Sequence, residues 1–496
     1  MDGSELPTPD RTGAAPWISA PATPPLVAAA ILIHIVLAFV TCRFTLQAYP
    51  NAGDEYAYLL SAEMFSQGRL SVPSPEHREF FDLFHVLNDG KFYGKYPPGW
   101  PLILAIGVSF GVPWVVNPIL GGLTIYTLYS ICRNHFAAGT DTLVLLLASA
   151  NPFLVFNSAS YFSHSACLLL VCLAFHALFD WMAAPRSTAA PAFFGLASGF
   201  AFAVRPFTAV AIFVPACAIA ALHARRNPAA RPPASRLAIA AAPALAALGL
   251  FLLYNHLQTG NAFEQPFTRY SPGDAPSLPK TFSETGRRLW DNIGLRLVQL
   301  TLWLPLSVPL AALFAARRPG SVPARILLAS SASLLAAYYL FAPLPGTQYG
   351  PRYMYEAAGA LLIVSACALK ETPRMAAAAL AVSLLVGLGI LVHQSRERAE
   401  EIRLKKNPYD LVRERNLSQA LVFIRTGVGS APALDLTRNG LRFDGSVLYV
   451  LDRGDRNGTL LAEHPDRKAY VYEYDESRKI GLLRTLEEAP PPKYER

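Results

Sequence analysis

Two adjacent carboxylates, Asp54 and Glu55, follow the first long apolar run, and Lys95 closes the same polar loop just before a Pro-Pro-Gly turn. Neighbouring residues do not share a helical face, so the two acids are not expected to share a proton. Asp54 can act as a general base while Glu55 holds the loop or contacts an acceptor. The prolines stiffen the backbone, so the lysine can bind an anion at headgroup level. The structural alternative is a solvated acid and a snorkelling lysine.

Three further polar residues lie at the ends of apolar segments. Arg205 follows an apolar helix, where it needs an anionic partner, either a protein carboxylate or a phosphate. Arg352 precedes a late apolar run and lies at helical spacing from Glu356, so a local ion pair and phosphate binding are both open. His164 starts another helix, as a hydrogen-bonded structural group or as a substrate contact.

These charges form a coherent chemical set. The cations would hold a phosphate attached to a lipid, and the carboxylate would take a proton from an acceptor alcohol, because departure of a phosphate needs its negative charge stabilised. Tyr58 and Trp100 offer aromatic contacts to a sugar or a prenyl chain. The sequence contains no glycine-rich phosphate loop, which disfavours nucleotide chemistry on the cytoplasmic side.

The elements that must position these residues are membrane helices. Of 496 residues, 52% are hydrophobic and 16% are charged, a composition typical of a polytopic helical membrane protein. About eleven crossings are predicted from apolar runs long enough to span a bilayer. They cover residues 25–46, 113–132, 139–157, 160–182, 190–204, 206–223, 236–257, 291–316, 323–342, 352–370 and 375–393. Residues 1–24 are predicted to be a disordered cytoplasmic tail, since they lack the basic region of a signal peptide.

The arginines predict the orientation. With a cytoplasmic N-terminus, the inner connections carry Arg133, Arg186, Arg225, Arg226, Arg231, Arg236, Arg317, Arg318, Arg325, Lys370 and Arg374. This agrees with the positive-inside rule and accounts for the net charge of +8 without a nucleic-acid partner. It places the acid, the lysine, His164, Arg205 and Arg352 on the extracytoplasmic side of a plasma membrane, in bacteria the inner membrane.

The predicted domains are the membrane part, residues 25–395 with its outer loop 48–100, and a small extracytoplasmic α/β domain, residues 396–496. In the loop, residues 55–67 are predicted to form an interfacial helix that stops at Gly68, and residues 258–288 supply a second outer segment. In the tail, residues 396–415 are amphipathic, residues 447–451 and 469–474 read as strands, and Asn439-Gly440, Asp444-Gly445 and Asn457-Gly458 as turns.

Cysteine spacing indicates neither disulfides nor a cysteine metal site. All six cysteines lie in or at the ends of apolar runs, without a CxxC pair. No metal ligand set is predicted, no cofactor is firmly implied, and a divalent cation is left open.

The first outer loop resembles that of the GT-C membrane glycosyltransferases, in the branch of the protein O-mannosyltransferases and the lipid A aminoarabinose transferase. The similar residues are Asp54-Glu55-x-x-Tyr58, Ala62-Glu63-Met64-Phe65-x-x-Gly68, Pro73 and Asp89-Gly90-Lys91-x-Tyr93-x-Lys95-Tyr96-Pro97-Pro98-Gly99. The resemblance implies an all-α GT-C membrane fold, with Asp54 as the catalytic acid and Lys95 as a phosphate ligand. The chain departs from the family in Tyr96, which separates the lysine from the prolines, and in His164, where many relatives carry an acid.

The resulting hypothesis is an inverting glycosyltransferase that moves a sugar from a polyprenyl-phosphate carrier to an acceptor hydroxyl. Asp54 would be the base, Lys95, Arg205 and Arg352 the phosphate ligands, and Glu55, Tyr58, Trp100 and His164 the substrate contacts. The acceptor is left open among glycan, lipid and protein, as is the oligomeric state. The alternatives are a transporter of a lipid-linked sugar, although the sequence lacks the two related halves typical of transporters, and an inactive anchor for the tail domain.

Overall fold

The structure, a computed structural model, describes residues 20–318, 320–341 and 346–490. Most of the predicted N-terminal tail, residues 1–19, lies outside this part of the chain. The helices are α1 (Pro24–Val40), α2 (Gly53–Ser66), α3 (Gly99–Ser109), α4 (Val116–His135), α5 (Thr140–Ala148), α6 (Pro152–Ala159), α7 (His164–Ala183), α8 (Ala189–Val204), α9 (Pro206–Arg226), α10 (Ala234–Thr259), α11 (Pro266–Tyr270), α12 (Phe282–Arg288), α13 (Leu295–Trp303), α14 (Ser307–Ala316), α15 (Val322–Tyr338), α16 (Ala358–Glu371), α17 (Pro373–Glu414) and α18 (Asn457–Glu463). The strands are β1 (Val72–Pro73), β2 (Val86–Asp89), β3 (Lys91–Gly94), β4 (Ala420–Ile424), β5 (Val447–Leu451), β6 (Lys468–Asp475) and β7 (Ile480–Thr485).

Most of the chain is a bundle of apolar helices. Among the described residues, seven helices are long and apolar enough to cross a membrane, or nine if each of two bent pairs forms one span. Each predicted crossing coincides with one of these helices, with a bent pair, or with the shorter helices α8 and α15. A polytopic membrane protein is therefore confirmed, whereas the count of eleven is not established.

The two bent pairs show where apolar runs do not make straight helices. The chain bends by 57° between α5 and α6, where the Asn151 side chain caps the new helix by accepting from the backbone N–H of Phe153 at 3.0 Å. The bend after α13 is 108°, and it contains Pro305 and the left-handed Leu306. The predicted crossing 291–316 is therefore not a single straight helix.

Small residues allow α8 and α10 to approach closely. Gly195 and Gly199 lie one turn apart on α8, and a Cβ atom added at Gly195 would meet the backbone oxygen of Ala240 at 2.0 Å. In lipid there is no hydrophobic driving force between helices, so close van der Waals packing at small residues holds them together instead.

The first outer loop is a compact unit between α1 and α3. It contains α2 and a three-stranded antiparallel sheet of order β1-β3-β2, with Leu87 opposite Tyr93. The predicted helix 55–67 is confirmed as α2, and Gly68 follows it with a left-handed φ of 70°.

The tail forms a second sheet, of order β5-β4-β6-β7, in which β4 is parallel to both neighbours and β7 is antiparallel to β6. The strand predictions at 447–451 and 469–474 are confirmed. The prediction of a turn at Asn457-Gly458 is wrong, because Asn457 begins α18. Helix α17 runs through the predicted domain boundary at residue 396 as one element of 42 residues.

The tail sheet packs against the first outer loop. Phe80 and Phe81 share an apolar core with Phe423 and Val450. The hydroxyl of Thr437 donates to the backbone oxygen of Asp82 at 2.8 Å. The two sequence-distant parts therefore support each other at one end of the helix bundle.

Replacing Gly195 by Ala should weaken the α8–α10 contact. We expect a loss of about 1–3 kcal/mol of stability, because the added methyl group meets backbone rather than a movable side chain. Thermal unfolding of the purified protein in detergent measures the effect. Gly249→Ala on α10, where a Cβ has open space, is the matched control. Equal stability of the two variants would contradict the close contact.

Candidate active site

Asp54 lies at the start of α2 and is the centre of a polar cluster. Its Oδ2 lies 2.7 Å from an Arg352 guanidinium nitrogen, and its Oδ1 lies 2.8 Å from His85 Nε2. The Tyr96 hydroxyl donates to the same Oδ1. The Asp54 side chain is 14% exposed, so it can still be reached from outside.

The surroundings of Asp54 favour its charged form. Burial alone would raise the pKa of this carboxyl, but the charges of Arg352 and His85 and the hydrogen bonds from His85 and Tyr96 hold the pKa well below its ordinary value. Asp54 is therefore ionised at neutral pH, as a proton acceptor must be.

Glu55 faces away from this cluster and binds backbone. Its carboxylate accepts from the N–H groups of Asn51 at 2.7 Å, Ala52 at 2.9 Å and Tyr161 at 2.9 Å. These bonds close the N-terminus of α2 and join it to the segment before α7. Burial raises the pKa of Glu55 to about 7, although the three backbone donors oppose the shift.

Lys95 is buried in an aromatic pocket. Its Nζ lies 4.7 Å from the ring centres of Phe267 and Tyr270 and 5.4 Å from that of Tyr96. Within the described part of the chain, no carboxylate forms an ion pair with this ammonium. Burial lowers its pKa to about 8, against the opposing charges of Asp54 and Asp274. The predicted outer segment 258–288 supplies two walls of this pocket.

Arg205 has the protein carboxylate that its position requires. Its Nε lies 3.1 Å from Glu356 Oε1, and its NH2 donates to the Tyr338 hydroxyl at 3.0 Å. His164 Nδ1 lies 3.2 Å from the same glutamate oxygen, and its Nε2 lies 3.4 Å from Arg205 NH1. Glu356 therefore joins the two residues that the sequence singled out separately.

Arg352 pairs with Asp54 and not with Glu356, so the alternative of a local helical ion pair is wrong. Its guanidinium lies over the Phe162 ring at 4.3 Å. Its Nε and NH1 atoms are buried and have no hydrogen-bond partner among the described residues. Two buried guanidinium donors beside Asp54 thus have no acceptor within the described ranges.

The two predicted aromatic contacts, Tyr58 and Trp100, are both buried and hydrogen-bonded within the protein. The Tyr58 hydroxyl lies 3.1 Å from Ser163 Oγ, and its ring centre lies 4.4 Å from that of Tyr96. Trp100 is 1% exposed and donates from Nε1 to the backbone oxygen of Tyr161 at 2.8 Å. Trp100 therefore lies in the protein core in this arrangement.

Two members of the cluster were not predicted from sequence. Tyr96 was noted as a departure from the family motif, and its contact with Asp54 gives that departure a role. His85 stands alone in the loop without a motif around it. Its left-handed backbone, with a φ of 64°, turns the ring towards Asp54, and its N–H donates to the Tyr270 hydroxyl at 3.0 Å.

The chain is similar to known proteins mainly in its fold. No curated protein matches the sequence. The model of a family described as "Domain of unknown function (DUF7846)" matches residues 420–482. The structure of ArnT from Cupriavidus metallidurans bound to undecaprenyl phosphate matches with a TM-score of 0.61 and 12% identity, over 91% of this chain and 94% of that one. The apo form of the same protein matches with a TM-score of 0.59 and 12% identity, over 91% of this chain and 93% of that one. An oligosaccharyltransferase from Archaeoglobus fulgidus, tethered with an acceptor peptide, matches with a TM-score of 0.49 and 12% identity. The match covers 91% of this chain and 68% of that one. The chain has the GT-C fold, as the loop motif predicted.

Glu55 should make folding stability depend on pH. Its pKa of about 7 in the folded protein lies above the ordinary 4.5, so its stabilising contribution is full below pH 4.5 and is lost as pH rises through 7. We expect thermal unfolding between pH 5 and pH 8 to show wild type losing stability relative to Glu55→Gln. The exposed Glu76→Gln is the control and should keep the wild-type profile. Parallel profiles of stability against pH for all three proteins would contradict the raised pKa of Glu55.

Proposed function

We propose that this chain is an inverting glycosyltransferase that moves a sugar from a polyprenyl-phosphate carrier to an acceptor hydroxyl. The observation that carries the proposal is an ionised, reachable carboxylate, Asp54, beside buried cations at one end of an apolar helix bundle. The GT-C fold shared with ArnT, which was solved with undecaprenyl phosphate, supports a lipid-phosphate donor.

In the proposed reaction, the acceptor oxygen attacks the anomeric carbon of the sugar from the face opposite the phosphate. The new carbon–oxygen bond forms as the bond to the phosphate oxygen breaks, and the acceptor proton passes to Asp54. One displacement inverts the anomeric configuration. The acceptor hydroxyl would replace one of the present partners of Asp54, of which Tyr96 and His85 share a single oxygen.

Lys95 is the proposed main ligand of the donor phosphate. It is a buried ammonium held by aromatic rings, and a phosphate is the kind of anion that would compensate its charge. Arg352 is the proposed second ligand, because its Nε and NH1 can donate while NH2 holds Asp54. Arg205 is a weaker candidate than its sequence position indicated, since Glu356 already neutralises it.

The remaining predicted residues would act around these groups. His164 would hold Glu356 against Arg205, and Glu55 would position Asp54 through the start of α2. Tyr58 would contact substrate next to Tyr96, whose ring centre lies 4.4 Å from its own. The tail domain, beside the first loop, would border the acceptor path. The arginine distribution supports an extracytoplasmic site in the plasma membrane.

A transporter of a lipid-linked sugar is the rival function. Reconstitution into liposomes with a labelled polyprenyl-phosphate sugar separates the two. Covalent transfer of the label to an acceptor supports the enzyme, whereas label that crosses the bilayer intact supports the transporter.

Asp54→Asn should reduce sugar transfer by about 10²- to 10⁴-fold, because the amide cannot take the acceptor proton. Polyprenyl-phosphate binding should persist, since the variant removes a negative charge from the phosphate site. Transfer by purified protein and binding by a thermal-shift titration measure the two effects. Asp89→Asn, at an exposed position of the same loop, is the control. Near-normal turnover of Asp54→Asn would remove Asp54 as the base.

Lys95→Ala should weaken binding of undecaprenyl phosphate by about ten- to a hundredfold, the value of a charge-assisted hydrogen bond. Lys91→Ala is the matched control, because Lys91 lies in the same loop but is exposed and donates to the backbone oxygen of Leu257 at 2.9 Å. Titration of both variants with undecaprenyl phosphate in detergent is the measurement. Equal affinities would place the phosphate elsewhere.

A further inference from the structure

A second polar cluster lies far from Asp54. It contains His135, the last residue of α4, and His176 and Asp180 of α7. One ligand atom of each residue lies within 4.8 Å of the other two. His164 belongs to the candidate active site at the start of α7, and His176 lies about 18 Å further along the helix at 1.5 Å per residue. The cluster is therefore separate from the proposed transfer site.

The Asp180 carboxylate lies between two imidazoles. His176 Nδ1 is 2.9 Å from Asp180 Oδ2, at the helical spacing that brings two side chains onto one face. His135 Nε2 is 3.0 Å from Asp180 Oδ1. The nearby Arg133 pairs instead with Asp141 at 3.2 Å. Within the described ranges, neither lysine nor arginine forms an ion pair with Asp180.

His135 supplies an independent indication of a ligand. Its side chain is 8% exposed, and its Nε2 atom is buried. Although Nε2 lies close to Asp180, the alignment is not that of a hydrogen bond, and no other hydrogen-bond partner is found in the described part of the chain. A buried ring nitrogen that lies 3.0 Å from a carboxylate oxygen without a hydrogen bond between them fits two ligands of one ion.

The donor set fits a borderline transition-metal ion. Two imidazole nitrogens and one carboxylate oxygen are ligands of Zn²⁺, whereas Ca²⁺ and Mg²⁺ prefer oxygen alone. Ser130 Oγ lies 2.8 Å from His176 Nε2 and holds this ring so that Nδ1 faces the cluster. The Asp180 side chain is 45% exposed, which leaves an entry path and room for a water ligand.

We propose that His135, His176 and Asp180 bind one Zn²⁺ ion that ties the C-terminal end of α4 to α7. No metal ligands are predicted from the sequence, because these residues come from two helices and form a set only when α4 and α7 pack together. The site is independent of sugar transfer. By the arginine distribution it faces the cytoplasm. Since the unfolded chain lacks the site, the ion would stabilise the folded protein.

The test uses the full chain, purified in detergent without a polyhistidine tag and stripped with EDTA. After addition of ZnCl₂ and desalting, we expect one zinc per chain by elemental analysis and a higher midpoint of thermal unfolding. Asp180→Asn and His176→Ala should lose both effects, and Ser130→Ala should lower the zinc affinity by about 10- to 100-fold. His223→Ala, at the end of α9, is the control and should behave as wild type.

Cobalt supplies a readout that does not depend on any variant folding. Co²⁺ added to the stripped wild-type protein should give the visible absorption of a four-coordinate nitrogen and oxygen site, and ZnCl₂ should remove it. Wild-type protein that retains no zinc and gives no such cobalt spectrum would overturn the proposal. The same zinc uptake in wild type and in Asp180→Asn would also overturn it, and would leave the cluster a hydrogen-bonded network.

Discussion

The ion pair between Asp54 and Arg352 joins the first outer loop to the segment just before α16. Both charges lie in a mostly buried site, where either one alone would be costly and would force a rearrangement. The pair therefore requires that the loop and the late segment meet in one geometry. Tyr96 and His85 restrain the carboxylate, and Phe162 lies under the guanidinium. These contacts make a charged group available at the edge of an apolar bundle.

The loop that carries Asp54 is held from two sides. Glu55 binds the backbone before α7, and Lys405 of α17 donates to the backbone oxygen of Asn51 at 2.7 Å. The tail sheet covers Phe80 and Phe81. The loop has a small apolar core of its own, and these external contacts fix its position on the helix bundle and so keep Asp54 in place. The tail is thus part of the framework that supports the site.

Much of the architecture follows from apolar patterning. Runs of apolar residues predicted where helices form, and the first-loop motif predicted the GT-C fold. The misses have local causes. The Pro305 bend divides one apolar run into two helices, and α17 continues from its apolar half into a charged half, past the predicted domain boundary at residue 396. The turn predicted at Asn457 begins a helix, since the same residue types favour turns and helix starts.

The sequence by itself determined the chemical types of the site: an acid and a lysine in the loop after the first apolar run, and two arginines at the ends of later apolar runs. Tertiary structure decided how these charges pair. Arg205 needed an anion, and packing of α7, α9 and the segment before α16 supplied Glu356. Arg352 bound Asp54 across the bundle, and His85 joined through an unusual backbone angle. The physical reason is distance. Hydrophobic periodicity and charge bias can be read from one helix and its flanks, whereas the pairing of buried charges depends on which helices pack together.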